Sequence, residues 1–156
     1  MGSTLSDITL SSSIIETKTV SGTSSTFGKS RTVSTSIREF AHLNRKVTGA
    51  FVPLLEFKST TTESGVQFDA DLVKYVRITN LDDTASAALA IIYGEQGNPP
   101  TGTISIKLEP RSSWVMGSPI NYCFEGEGVP TRDVQSIEAR GIDAATPDIE
   151  VIVGSE

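Results

Sequence analysis

Short apolar segments separated by turn signals fill the chain from Gly49 onward. Within them apolar and polar residues alternate, as in Ile104, Ile106 and Leu108, which a period of two places on one face of a strand. The segments are residues 53–59, 71–79, 87–93, 103–108, 114–116, 122–124, 134–140 and 149–153. About eight short strands, with a turn roughly every ten residues, predict an all-β fold: an antiparallel β-sandwich or a jelly-roll-like barrel. No long helical segment alternates with the strands, so a parallel α/β sheet is not expected.

The first 36 residues have a different composition, because 19 of them are serine or threonine and apolar residues are sparse. Such a segment can bury little by itself, so it is either flexible or laid in extended form on its own body or on a neighbour. Its β-branched residues favour the extended form. We therefore divide the chain into an extended N-terminal arm, residues 1–48, and a β-sandwich domain, residues 49–156. Fully extended, 36 residues reach on the order of 100 Å.

A short helix is a second feature of the arm. Ser36 and Glu39 fit a capping box, and Phe40, Leu43 and Val47 follow Ile37 at helical spacing. This pattern predicts a helix near residues 37–46, and an irregular strand is the alternative.

Charge is distributed unevenly between the two parts. Residues 1–47 carry six basic and three acidic residues, a net charge of +3, and the remainder carries seven basic and sixteen acidic residues, a net charge of −9. A basic arm on an acidic body can favour contact between the arm of one copy and the body of the next, and a solvated surface with no partner is the alternative. An acidic body is a poor surface for nucleic acid, since phosphate binding needs clustered Lys and Arg.

Catalytic and cofactor chemistry has few candidate residues here. The chain contains one cysteine, Cys123, and one histidine, His42, which excludes an internal disulfide, zinc fingers and sites built on several histidines. We interpret His42 as a surface or half-buried structural residue and Cys123 as a small apolar one. We expect no enzyme activity, no catalytic residues and no cofactor. No stretch of 18 apolar residues occurs, and the residues after Met1 are polar, so the sequence predicts neither a membrane span nor a secretory signal.

Two weaker patterns keep alternatives open. Acidic residues cluster at predicted strand ends, where they could bind Ca²⁺ or form a glycosidase pair, although such residues usually form turns. They are Asp69, Asp71, Asp82, Asp83, Glu125 and Glu127. Trp114, Tyr93 and Tyr122 could form a platform for sugar stacking, but Trp114 precedes Val115 and Met116, which favours a core position. We assign no metal site.

Several segments of the body together carry a family resemblance. They are Phe68-Asp69 and residues 73–82, 104–110, 116–118, 136–139 and 149–153. Across residues 66–153 this pattern resembles small virion structural proteins of tailed bacteriophages, especially phages of cyanobacteria and other marine bacteria. That family often has glycine after the Glu-Pro pair, where this chain has Arg111.

The resemblance implies a non-enzymatic role in assembling a capsid or tail. Capsid cement, or decoration, is a common role for small β-sandwich subunits of this kind, which would make the major capsid protein the partner and the virion, assembled in the host cytoplasm, the location. From the arm we expect self-association, with a homotrimer that exchanges arms as the preferred form. A tail or neck subunit and a carbohydrate-binding module for host adsorption are the alternatives. Neither nucleic acid nor membrane is expected as a partner.

Overall fold

The computed structural model describes residues 8–20, 23–37, 39–57, 67–69, 72–95, 98–117 and 134–155. Their regular elements are β-strands, apart from a short 3-10 turn at Ile142–Ala144. The strands are β1 (Ile8–Val20), β2 (Thr23–Ile37), β3 (Glu39–Lys46), β4 (Val52–Phe57), β5 (Gln67–Phe68), β6 (Val73–Asn80), β7 (Ala87–Tyr93), β8 (Gly102–Leu108), β9 (Ser113–Gly117), β10 (Val134–Gly141) and β11 (Asp148–Ser155). Over these ranges no helix is long and apolar enough to cross a bilayer.

Two facing sheets form the body. One has the strand order β3-β11-β6-β9, and all of its neighbours are antiparallel. The other has the order β5-β4-β10-β7-β8 and is antiparallel except for the two-residue β5, which is parallel to β4. The predicted all-β sandwich is therefore confirmed.

A single hydrophobic cluster fills the space between the sheets. Along β11 the cluster takes Ile149, Val151 and Val153, which are buried, while Glu150 and Ile152 between them are only partly buried. The inward positions predicted for Leu55, Phe57, Val76 and Ile78 are confirmed, because all four are buried in this cluster. Full burial of a side chain of this size stabilises the fold by about 1.5–3 kcal/mol relative to leaving it in water.

The described residues of the arm that precede β3 are extended backbone, and their two strands pair with each other. β1 and β2 form a separate two-stranded antiparallel sheet, with Ile8 opposite Ile37 and Val20 opposite Thr23. We call this element the ribbon. Because the chain folds back on itself, a strand of 13 residues spans about 44 Å, well short of the reach of a single extended arm.

The helix predicted near residues 37–46 is wrong, because residues 39–46 form β3. All eight of its residues pair with β11, from Lys46 opposite Asp148 to Glu39 opposite Ser155. Exposure alternates along β3 with a period of two, so exposed His42 and Asn44 flank the partly buried Leu43. Ladder hydrogen bonds to β11 outweigh the local capping-box pattern. The sandwich thus includes residues on the N-terminal side of the division at residue 48.

Candidate interaction surfaces

An ion-pair cluster lies on the outer face of the sheet β3-β11-β6-β9. Its centre is Glu150 of β11, which has β3 on one side and β6 on the other. Glu150 Oε1 lies 3.0 Å from His42 Nε2, and Glu150 Oε2 accepts a hydrogen bond of 2.8 Å from Arg77 Nη2. His42 is half-exposed, which confirms the surface position expected for it. Both carboxylate oxygens are engaged, and the cluster joins three neighbouring strands.

The charge state of Glu150 follows from these partners. Partial burial by itself raises the pKa of the Glu150 carboxyl, but the hydrogen bond and positive charge of Arg77 lower it, and His42 adds to that effect. The net result is a pKa below the ordinary value. A carboxylate held ionised in this way suits a structural ion pair better than a proton donor.

A buried asparagine organises the corner where β6 leaves its sheet. Asn80 is fully buried, and its Nδ2 donates to the carbonyls of Ala85 at 2.7 Å and of Leu108 and Glu109 at 3.3 Å. Its Oδ1 accepts from the backbone N–H of Asp82 at 3.1 Å. One side chain therefore ties the end of β6 to the following turn and to the end of β8.

The acidic residues at this corner act as turn formers and surface ion pairs. The Asp82 carboxylate accepts from the N–H of Ala85 and of Thr84, and these bonds hold the pKa of Asp82 below its usual value. Asp83 pairs with Arg111, and Glu109 pairs with Lys107 at 2.6 Å. The turn-forming alternative is thus confirmed for Asp82.

No trio of His, Cys, Asp or Glu in the described ranges lies close enough to hold a metal ion. Of the acidic candidates for Ca²⁺, Asp69 precedes β6, and its carbonyl accepts the N–H of Leu72 at 3.1 Å. Asp71, Glu125 and Glu127 lie outside the described residues, as does Cys123.

Of the three aromatic residues considered for sugar stacking, the two that the structure describes, Trp114 and Tyr93, belong to different sheets. Trp114 of β9 is half-buried, lies opposite Ile78 and packs against the core, which confirms its interpretation as a core residue. Tyr93 belongs to the other sheet, where it lies opposite Gly102 of β8. A side chain at Gly102 would collide with the Tyr93 ring, so the glycine there lets the tyrosine cross β8. Tyr122 lies outside the described residues.

At the β8 end of the sheet β5-β4-β10-β7-β8, the outer strand is uncharged over residues 102–106 and has no neighbour among the described strands. β8 pairs with β7 along its whole length, and none of the described strands pairs with its other side. Ile104 lies opposite Ile91 on the core-facing side of β8, yet it is 53 % exposed. Residues 102–106 carry no charge and no proline, the features that usually keep an edge strand from pairing with another chain.

A cavity opens beside Ile104. It has a volume of about 360 Å³ and is lined by Ile91, Tyr93, Ile104 and Val134. These residues come from three neighbouring strands, β7, β8 and β10. We refer to the free side of β8, together with Ile104 and this cavity, as the β8 edge.

Sequence reasoning missed the β8 edge and the Glu150 cluster. Alternation correctly put Ile104 on the core-facing side of its strand, but it does not show that the strand is the last one in its sheet. The partners of Glu150 lie 108 and 73 residues away in sequence, so no local pattern connects them.

In comparison with known proteins, no protein-family model, no curated protein and no solved structure matches this chain.

Proposed function

We propose that this protein is a virion structural subunit of a tailed bacteriophage, a capsid cement that binds across major capsid protein subunits and stabilises the shell. The observation that carries the proposal is the ribbon, whose two long strands hydrogen-bond only to each other among the described strands. A two-stranded ribbon is at best marginally stable in water unless another surface supports it. Its natural role is therefore to bind something else.

The dimensions of the ribbon suit a bridging role. With strands of 13 and 15 residues it spans about 44 Å or more, which is enough to cross from one subunit to its neighbour. Each such contact can be weak, because a cement protein present in many copies gains from avidity.

Charge supports self-association through the same element. The part of the chain that contains the ribbon has a net charge of +3 and the rest has −9, so attraction between copies is strongest from arm to body. A head-to-tail contact of this kind either closes into a ring or grows into a filament. We propose that it closes as a homotrimer.

The same observations weigh on the carbohydrate-binding alternative. Trp114 is half-buried against the core and belongs to a different sheet from Tyr93, which disfavours a shared stacking platform. The ribbon is equally compatible with a tail or neck subunit. The number of copies per particle distinguishes that role from a cement.

Quantitative mass spectrometry of purified particles tests the proposal, with the major capsid protein as the internal standard. A cement is expected in hundreds of copies per particle, and particles that lack it should lose their contents at a lower temperature than complete ones. Tens of copies or fewer would assign the protein to the tail or neck and overturn the cement role. Absence from the particle would overturn the virion role altogether.

A further inference from the structure

We propose that the β8 edge is the surface on which a second copy of this chain lays its strand β1, so that the sheet β5-β4-β10-β7-β8 gains a sixth strand. This inference rests on the proposed function, because it identifies the place on the body where the arm of another copy binds.

The choice of β8 follows from comparing the four sheet edges. β5 is only two residues long, and β9 has five residues and carries Trp114, which is held in the core. β3 has a charged or ionisable side chain at Glu39, His42, Arg45 and Lys46, which discourages pairing. Only β8 combines seven residues with an uncharged stretch at 102–106.

The cavity gives the β8 edge side-chain specificity in addition to backbone hydrogen bonds. A strand added beside β8 directs alternate side chains to the same face as Ile104 and Ile106. On that face the cavity of about 360 Å³ has room for aliphatic side chains against Ile91, Tyr93 and Val134. Docking would also remove Ile104, the most exposed large apolar residue described in the body, from water.

The strand β1 has the matching properties. One of its sides pairs with β2, and no described strand pairs with the other. Residues 8–15 are uncharged and include Ile8, Leu10 and Ile14 at even spacing, which a strand places on one face. An uncharged donor and an uncharged acceptor pair without desolvating charge, while the opposite net charges of arm and body draw the copies together.

Topology explains why the donor belongs to another copy. The ribbon joins the body at β3, which is one edge of its sheet, whereas β9 is the opposite edge. The four residues 109–112 link β8 directly to β9, so the β8 edge lies on the β9 side of the sandwich. Donor and acceptor are therefore at opposite edges of one body, which is the geometry of a head-to-tail assembly.

Sedimentation of the full-length chain over a range of concentrations tests the inference. The wild type is expected to associate. Ile104→Lys should lower the association constant at least about tenfold, because it places a charge in the apolar cavity where the strand of the second copy would bind. Val115→Lys is the matched control: Val115 is 49 % exposed on β9, and its substitution should leave association unchanged. Fluorescence of Trp114 reports whether each variant is folded, and Ile104→Thr replaces the lysine variant if that one does not fold.

A mixing experiment tests the head-to-tail arrangement. Ser12→Pro, in the middle of β1, removes a backbone donor from the arm while the β8 edge stays intact. Ser12→Pro and Ile104→Lys should each be monomeric alone, and together they should form a one-to-one complex, because each supplies the half that the other lacks.

The outcomes separate this inference from the proposed function. If Ser12→Pro abolishes association and Ile104→Lys does not, the arm binds at some other surface, and the assignment of the β8 edge as its binding site is wrong. If Ile104→Lys lowers stability but not association, the chain's own residues use that cavity, and the inference is again overturned. A wild type that stays monomeric at every concentration overturns both the inference and the proposed homotrimer, while copy number in the particle still decides the cement role.

Discussion

In the sandwich, strands that are distant in sequence lie side by side, so that β11 lies between β3 and β6. In the ribbon, β1 pairs with β2, the strand that follows it, and with no other described strand. The sandwich strands share one buried cluster of apolar side chains drawn from both sheets. The ribbon comes from the part of the chain in which 19 of the first 36 residues are serine or threonine. Backbone ladders are present in both regions, and the buried apolar cluster belongs to the sandwich.

The two regions differ in what stabilises them. Net stabilisation by one backbone hydrogen bond is small, about 1 kcal/mol, and burial of apolar surface supplies most of the rest. A region rich in ladder bonds but poor in apolar residues is well suited to pair with another surface. The body supplies stability, and we propose that the ribbon, whose residue Ile37 is buried beside Gly154 of the body, supplies contact with another surface.

The largest effect is expected from the buried cluster itself. Ile137→Ala, in the centre of β10, should lower the free energy of unfolding by roughly 2–5 kcal/mol, because Ile137 is fully buried and the substitution leaves a cavity. Chemical denaturation measures this change. Ile104→Ala, the same substitution on an exposed side chain, is the matched control and should cost less than about 1 kcal/mol. Equal losses would mean that burial does not distinguish the two positions.

A second, smaller loss is expected at the corner between the sheets. Asn80→Ala removes a fully buried donor that satisfies the carbonyls of Ala85, Leu108 and Glu109, and it should cost roughly 1–3 kcal/mol. Asn44→Ala, at an exposed position on β3, should change stability by less than about 0.5 kcal/mol. If the two variants unfold alike, the corner does not depend on Asn80.

The existence of most body strands could be predicted from sequence, because a period of two is a local property that burial on one face imposes. The strand predicted at residues 149–153 lies within β11, and the strand predicted at residues 87–93 coincides with β7. The Asn/Asp-rich turn after β6 could also be anticipated from its residue types, although the complete burial of Asn80 could not.

What sequence could not supply were the contacts between distant segments. The segment that forms β3 was predicted to be a helix because Ser36 and Glu39 have the spacing of a capping box. Its strand conformation is set by pairing with β11, which lies about a hundred residues away in sequence. The partners of Glu150 and the position of β8 at the end of its sheet are set by strand order, which has no local signature.

The ion-pair cluster around Glu150 should make the stability of the body depend on pH. The pKa of Glu150 is lowered from its ordinary value of 4.5, so the carboxylate stabilises the fold above that pH, and the contribution is lost as the pH falls through the folded-state pKa. Glu150→Gln should cost roughly 1 kcal/mol at neutral pH. It should also flatten the decline of stability below about pH 4.5. Thermal unfolding at several pH values measures both effects, and an unchanged acid slope in the variant would contradict this role.

A small gain is expected at the turn before β9. Arg111 has φ 58°, in the left-handed region that favours glycine, and its exposed side chain pairs with Asp83. Arg111→Gly relieves the backbone and Arg111→Ala does not, while both lose the same ion pair. The glycine variant should therefore be the more stable of the two by about 1 kcal/mol in denaturant titrations. An alanine variant that is equally stable would show that the turn is not strained.

The smallest change in stability is expected from a substitution in the ribbon, measured by its effect on the body. Ser12→Pro interrupts β1. Because the ribbon is expected to add little to the stability of the body in an isolated chain, the free energy of unfolding of the body should change by less than about 0.5 kcal/mol. Trp114 is the only tryptophan and packs against the core, so its fluorescence reports the body alone. Hydrogen exchange on the same samples should show the amides of β1 and β2 exchanging faster than those of β11 in the wild-type monomer. A loss of more than about 1 kcal/mol would mean that the ribbon packs on its own body, and the division of labour between contact and stability would have to be abandoned.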